Sequence, residues 1–179
     1  MRTESNPQFD FLPQGSDHNS LKRVLGHLSH TLERDALVQQ TTHDLREALQ
    51  VDRVVLYYFY SQWKGQVTFE SLSSPDYSIY GSTGPDGCFN DEYAALYLAG
   101  RVRAIANVEQ ESIADCHREF LRQIGVQANL VVPILTTKGL WGLLTAHHCQ
   151  SPREWTAADI DRMSAGAQIL ATAPAVLMG

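Results

Sequence analysis

Residues 130–148 read LVVPILTTKGLWGLLTAHH, and this stretch decides the fold class predicted for the chain. It contains two apolar runs, Leu130–Leu135 and Leu140–His148, which are joined by Thr137-Lys138-Gly139. Two apolar runs separated by a short turn that contains glycine are typical of a β-hairpin. The sequence therefore predicts two antiparallel strands near the end of the chain.

A second strand pair is predicted upstream of this hairpin. The segment 53–60 is dense in β-branched and aromatic residues, and Lys64-Gly65 supplies a turn. After that turn Val67, Phe69 and Ser71 alternate as a returning strand, and 104–107 is a brief further strand candidate.

Helical periodicity predicts five helices around these strands. The first helix begins at Asp17, and the other four cover 36–49, 90–98, 115–124 and 156–170. Thr156 is at a cap position of the last helix. The first has an apolar stripe made of Leu21, Val24, Leu25, Leu28 and Leu32. This order of elements predicts an α+β fold, in which a central antiparallel sheet is flanked by α-helices and both terminal helices lie on one side.

The length of 179 residues predicts one domain. We expect a flexible leader at 1–16, the domain itself at 17–174 and a tail at 175–179. Residues 73–88 are rich in Ser, Pro and Gly, and a loop of this length within a compact domain is usually functional.

Composition excludes several classes of function. The net charge of −6 and the pI of about 5.6 argue against a nucleic-acid partner. The sequence has neither an apolar run that could span a bilayer nor a signal peptide, so we expect a cytoplasmic domain without membrane contact. Cys88, Cys116 and Cys149 are odd in number and lack a Cys-x-x-Cys pair, which disfavours a zinc or thioredoxin-type site.

Several motifs together resemble a known family. They are Cys116-His117-Arg118-Glu119-Phe120-Leu121, Asn129-Leu130-Val131-Val132-Pro133-Ile134, Leu140-Trp141-Gly142-Leu143-Leu144, the pair His147-His148, and Asp86-Gly87-Cys88-Phe89. From about Leu21 to Leu170 the chain resembles the bilin-binding GAF domain of phytochrome-related photoreceptors. The lack of a following PHY-like region favours the cyanobacteriochromes, and Asp86-Gly87-Cys88-Phe89 matches the Asp-Xaa-Cys-Phe (DXCF) motif of one subfamily.

The resemblance implies a covalent photoreceptor that uses two thioethers. Cys116 would attach ring A of phycocyanobilin or phycoviolobilin, and His117 would pack on the tetrapyrrole or hydrogen-bond to it. Asp86 would accept hydrogen bonds from the pyrrole nitrogens. Cys88 would add to the central methine bridge and produce a blue- or violet-absorbing 15Z state. Light would rotate ring D, break this second bond and give a 15E state that absorbs from green to orange.

Further site residues follow from the same resemblance. Arg101 would pair with a propionate, His147 rather than His148 would face the chromophore, and Tyr97 and Phe89 would line the cleft. For four further aromatic residues the sequence leaves two alternatives open, lining of the cleft or packing in the core: Tyr57, Phe59, Tyr93 and Phe120. We expect no enzymatic activity beyond autocatalytic bilin attachment and bilin isomerisation.

Other interpretations remain open at this stage. Asp86 is also a typical turn residue, Arg101 a typical solvated arginine, and Cys149 a typical buried thiol. A GAF-type free methionine sulfoxide reductase would also use cysteines in such a cleft, and another GAF class binds cyclic nucleotides. As partners we expect a fused signalling output domain and a second copy that packs through the terminal helices.

Overall fold

The computed structural model describes residues 15–61, 64–84 and 91–179. Five strands form one sheet in the order β2-β1-β5-β4-β3, with antiparallel neighbours throughout. The elements are α1 (Gly15–Arg34), α2 (Ala36–Leu49), β1 (Arg53–Ser61), β2 (Lys64–Leu72), a 3-10 helix (Pro75–Tyr77), α3 (Asp91–Leu98), β3 (Arg103–Ile105), α4 (Asp115–Gln123), β4 (Ala128–Thr136), β5 (Gly139–His148), α5 (Ala157–Leu170) and α6 (Pro174–Leu177). The predicted α+β class with a helix-flanked antiparallel sheet is confirmed, and α2 has the predicted bounds.

One face of the sheet carries the main hydrophobic core. Helices α1, α2 and α5 cover this face with side chains such as Leu32, Leu49 and Leu170, which pack with Leu144 and Ile134 of the strands. Both long terminal helices therefore lie on the same side of the sheet, as the element order predicts. In the described part of the chain, no helix combines the length and apolar character that crossing a bilayer requires.

Helix ends are fixed by side-chain caps. Asp35 accepts hydrogen bonds from the backbone nitrogens of Leu37 and Val38 and so begins α2. Thr156 and Asp159 form a capping box at the start of α5, which agrees with the predicted cap.

The core-facing stripe of α1 is narrower than predicted. Leu25, Leu28 and Leu32 are buried, whereas Val24 is 57% exposed. Val24 instead lines a shallow surface groove together with Ala175 and Met178. Val24 thus lies on the side of α1 that borders the end of the chain, outside the face that packs on the core.

Residues assigned to a tail at 175–179 belong in part to the core. Ala175 and Val176 are both buried, and the Ala175 backbone nitrogen donates to Asp35 Oδ2 at 2.9 Å. At the other end, α1 begins at Gly15, within the segment assigned to the leader.

Candidate functional site

The face of the sheet opposite the main core is the floor of a cleft. Side chains alternate between the two faces of a strand, so every second residue of β1, β5 and β4 points towards this cleft. These floor residues are Val55, Tyr57, Leu143, Thr145, His147, Asn129 and Val131. Most of them are apolar, which suits a ligand with extended hydrophobic faces.

Helices α3 and α4 and the segment after β2 form the walls. Tyr97 of α3 and His117, Phe120 and Leu121 of α4 line the cleft, as do Ile79, Ser82 and Gly84. Tyr57 holds the wall to the floor, because its hydroxyl accepts from the Gly84 backbone nitrogen and donates to the Gly65 carbonyl, both at 2.9 Å. The described part of the predicted functional loop thus contributes to the cleft.

Among the cleft-lining side chains that the structure describes, two buried polar atoms have no hydrogen-bond partner. They are Arg103 Nε, on edge strand β3, and Asn129 Oδ1, on β4. Arg103 also forms an ion pair with Glu111 through its Nη2 atom at 3.1 Å. Buried polar groups are nearly always paired, so an unpaired donor and an unpaired acceptor in one apolar cleft fit a ligand that supplies both.

His147 lies in the floor and is 4% exposed. Its Nδ1 accepts a hydrogen bond of 2.8 Å from Nε of Arg53, which is itself 2% exposed. Burial, assisted by the nearby Arg53 guanidinium, lowers the pKa of His147 well below its usual 6.5. By contrast, His148 is partly exposed and its Nδ1 lies 2.7 Å from the Ser151 carbonyl oxygen. Of the two adjacent histidines, His147 therefore faces the cleft.

Sequence reasoning missed Arg53. The available signal was a charged residue at the start of a strand, directly before the apolar run Val54-Val55-Leu56. A charged side chain in such a position is buried only when its donors are satisfied. Arg53 meets this condition, because Nη1 and Nη2 donate to the carbonyl oxygens of Tyr77 and Ile124.

Helix α4 brings the predicted attachment residue to the edge of the cleft. Cys116 is exposed in the first turn of the helix, and His117 beside it lines the cleft. Burial, together with Arg103 and Arg101, lowers the pKa of His117. Cys116 is disulfide-bonded in this structure, whereas Cys149 is a free cysteine.

Arg118 fixes α4 against the segment that precedes it. The guanidinium donates to the carbonyl oxygens of Val108, Glu109 and Glu111 at 2.8–3.1 Å. Arg103 pairs with the Glu111 side chain, so one short segment connects α4 to the cleft-lining arginine.

The remaining predicted site residues lie in different places. Arg101 is half-buried after α3 and is not part of the described cleft lining, whereas Arg103 is. Phe59 packs edge-to-face on Tyr57, with ring centroids 5.4 Å apart, next to the cleft. Asp86, Cys88, Phe89 and the Tyr93 side chain lie outside the described residues. Within the described ranges, no group of three or more metal-ligating side chains could hold a metal ion.

Comparisons with known proteins agree with this architecture. An uncharacterized protein of Picosynechococcus sp. is 50% identical over 152 residues, which are 85% of this chain and 93% of that protein. The circadian input-output histidine kinase CikA of Synechocystis sp. is 30% identical over 165 residues, which are 79% of this chain but only 22% of CikA.

Solved structures of GAF domains are similar as well. The blue-light absorbing form of the Thermosynechococcus elongatus PixJ GAF domain matches with a TM-score of 0.66 and 31% identity, covering 85% of this chain and 88% of that one. A phycoerythrobilin-bound GAF domain from a cyanobacterial phytochrome matches with a TM-score of 0.70 and 27% identity. The match covers 90% of this chain and 95% of that one. The sequence pattern of the GAF domain matches residues 33–173. The chain therefore belongs to the GAF domain family, and its structural neighbours are the bilin-binding GAF domains of cyanobacteriochromes and phytochromes.

Proposed function

We propose that this GAF domain is a photoreceptor module that holds a linear tetrapyrrole covalently through Cys116. The observation that carries this proposal is the apolar cleft beside α4, which contains the unpartnered atoms Arg103 Nε and Asn129 Oδ1. A bilin has long apolar faces, two propionates and several pyrrole N–H groups. Its carboxylate is the natural partner of Arg103, and an N–H group is the natural partner of Asn129.

The bilin, when bound, supplies visible absorption and a double bond that light isomerises. Cys116 supplies the attachment: its sulfur forms a bond to the ethylidene carbon of ring A, and the thiol proton is transferred to the adjacent ring carbon. Only the thiol form of Cys116 can act as this nucleophile, so attachment is assayed with reduced protein.

The finer photocycle is also part of the proposal. Cys88 forms a second thioether in a blue- or violet-absorbing 15Z state and releases it in a green- to orange-absorbing 15E state. This is supported by the Asp86-Gly87-Cys88-Phe89 motif and by the likeness to a GAF domain in a blue-light absorbing form. The chromophore is phycocyanobilin or phycoviolobilin, and the chain catalyses nothing beyond bilin attachment and isomerisation.

The output of the module is a signal to another domain. CikA is a histidine kinase, and this chain matches only 22% of its length, which fits a sensory part of a larger protein. We include in the proposal a fused output domain and pairing of two copies through the terminal helices.

Covalent attachment is tested with phycocyanobilin and reduced protein. The wild type should give a zinc-fluorescent band on a denaturing gel, and Cys116→Ala should give none. Cys149→Ala is the matched control, because Cys149 is the other described cysteine and does not line the cleft. A wild type that binds no bilin covalently, or that instead reduces free methionine sulfoxide with thiols, would contradict the proposal.

The second linkage is tested separately by absorption spectra before and after blue illumination. Cys88→Ala should keep its pigment but lack the short-wavelength state. If that state persists in Cys88→Ala, the second thioether is wrong while attachment at Cys116 stands.

A further inference from the structure

Three polar residues form one row across the sheet, and two of them, His147 and Asn129, line the cleft. In the sheet register, Arg53 of β1 is opposite His147 of β5, and His147 is opposite Asn129 of β4. Directly paired residues of neighbouring strands point to the same face. The row therefore places the Arg53 guanidinium and the Asn129 amide on either side of the His147 ring.

Arg53 is locked in this row by three hydrogen bonds. Nε donates to His147 Nδ1 at 2.8 Å, Nη1 to the Tyr77 carbonyl at 2.8 Å and Nη2 to the Ile124 carbonyl at 2.6 Å. These acceptors belong to β5, to the 3-10 helix and to the residue that follows α4. Because three separate parts of the fold hold the guanidinium, Nε has a fixed direction.

A guanidinium offers only donors, and this determines where the His147 proton resides. Nδ1 must present its lone pair to Arg53, so a neutral His147 carries its proton on Nε2. A second proton on Nδ1 would break the 2.8 Å bond and place a positive ring against a buried guanidinium. His147 therefore keeps one tautomer and one charge state.

The charges around this pair favour the same state. Burial lowers the pKa of Arg53, while Cys149, Glu70 and Asp52 oppose this effect, and an arginine remains protonated at neutral pH. Towards the cleft, His147 faces the uncharged Asn129, and Arg103 and His117 also line the cleft. The nearby carboxylates of Glu70 and Asp52 raise the pKa of Arg53. The charge of Arg53 in turn lowers the pKa of His147.

We propose that Arg53 is a positioning residue that holds His147 as the Nε2–H tautomer, so that His147 selects an acceptor oxygen on the ligand. A carbonyl or carboxylate oxygen satisfies Nε2–H, whereas a pyrrole N–H would meet another donor. The identity of the ligand as a bilin rests on the proposed function. The tautomer does not, because it follows from the protein alone.

The tautomer is measured in reduced, bilin-free wild-type protein by nitrogen-15 NMR of labelled histidine and arginine. The chain has seven histidines, and the His147→Gln variant identifies the His147 signals by their loss. We expect a protonated Nε2 and an unprotonated Nδ1 from about pH 6 to pH 8. We also expect a scalar coupling between Arg53 Nε and His147 Nδ1 across the hydrogen bond. An Nδ1–H tautomer, a ring that titrates within this range, or the absence of the coupling would overturn the assignment.

Substitution of Arg53 tests its positioning role. Arg53→Gln retains an amide donor and should keep the Nε2–H tautomer, whereas Arg53→Met should give a mixture of tautomers. A single Nε2–H tautomer in a folded Arg53→Met variant would show that Arg53 is not responsible. If neither variant folds, the coupling in the wild type decides the question.

Selection of an acceptor is tested in pigmented protein by infrared spectroscopy. His147→Gln keeps an N–H donor, and His147→Leu removes it without adding a charge. We expect a bilin C=O stretch to shift to higher frequency in His147→Leu and to stay near its wild-type position in His147→Gln. Identical spectra for the wild type and His147→Leu would refute acceptor selection. If the wild type takes up no bilin, both the proposed function and the selection of a bilin oxygen by His147 are wrong. The tautomer of His147 is then still decided by the NMR result.

Discussion

Arg103 and Glu111 form an ion pair 3.1 Å long at the cleft, and this pair leaves the Arg103 Nε atom buried without a partner. The Nη2 atom is thus used by the protein, and the Nε–H donor is available to a ligand. A ligand carboxylate can accept a charge-assisted hydrogen bond from this Nε–H group. The arrangement indicates that Arg103 is held in place before the ligand arrives.

Replacing Arg103 should weaken bilin binding. Hydrogen bonds to charged groups contribute about 1.5–3 kcal/mol, so Arg103→Leu should lower the affinity about tenfold or more. The measurement is an absorption titration with phycocyanobilin in a Cys116→Ala background, where attachment does not mask affinity. Arg122→Leu is the control, because Arg122 pairs with Glu109 at the surface and is 49% exposed.

The same titration compares Arg101 with Arg103 as the arginine that pairs with a bilin propionate. The family resemblance implies that Arg101 pairs with a propionate, whereas the described cleft lining contains Arg103. We expect Arg101→Leu to have the smaller effect. A larger loss of affinity in Arg101→Leu than in Arg103→Leu would show that Arg101, not Arg103, is the main partner of the propionate.

Mild acid should destabilise the bilin-free protein through His117. Burial, Arg103 and Arg101 lower the pKa of folded His117 below the unfolded value of about 6.5. The unfolded state then binds more protons, so the free energy of unfolding falls as the pH drops below about 6.5 and is fully retained above it. Urea titrations near pH 7.5 and pH 5.5 should show a smaller decrease for His117→Gln than for the wild type. His18→Gln, on the exposed part of α1, should behave like the wild type.

A side chain at position 142 should damage the sheet beneath the cleft. A Cβ atom on Gly142 would collide with the Tyr57 carbonyl oxygen of the neighbouring strand. Backbone cannot move aside as a flexible side chain can, so Gly142→Ala should cost about 1–3 kcal/mol of stability in chemical denaturation. Gly26→Ala is the matched control: its Cβ would meet nothing within 4 Å, and the helix propensity of alanine should stabilise α1 by up to about 1 kcal/mol. Equal effects of the two substitutions would contradict this account.

Neighbouring residues of α5 should differ sharply in their contribution to stability. Leu170 is fully buried in the main core, whereas Ile169 is 45% exposed. Leu170→Ala removes buried methyl groups and leaves a cavity, so we expect a loss of about 2–5 kcal/mol in the free energy of unfolding. Ile169→Ala should cost less than about 1 kcal/mol. Similar losses would show that α5 does not pack as described.

Local sequence patterns were sufficient to predict the elements. The period of Val38, Leu45 and Leu49 predicts α2 with its observed bounds, and the turn at 137–139 predicts the hairpin of β4 and β5. Such patterns depend on residues within a few positions of one another. They place Val24 in the apolar stripe of α1 but do not show that it is 57% exposed beside Ala175 and Met178, because its neighbours come from the far end of the chain.

The sequence alone determined the fold class and the resemblance to bilin-binding GAF domains, and the family motif favoured His147 over His148, which the structure then placed in the cleft lining. Only the tertiary structure decided that Arg53 holds His147, although the two residues are 94 positions apart, and that Arg103 lines the cleft. The physical reason is that helix and strand periods are local, whereas strand register and the burial of a charge depend on how distant segments pair. Arg53 is stable in the interior because β5, the 3-10 helix and the residue after α4 each supply an acceptor, and no local pattern contains that information.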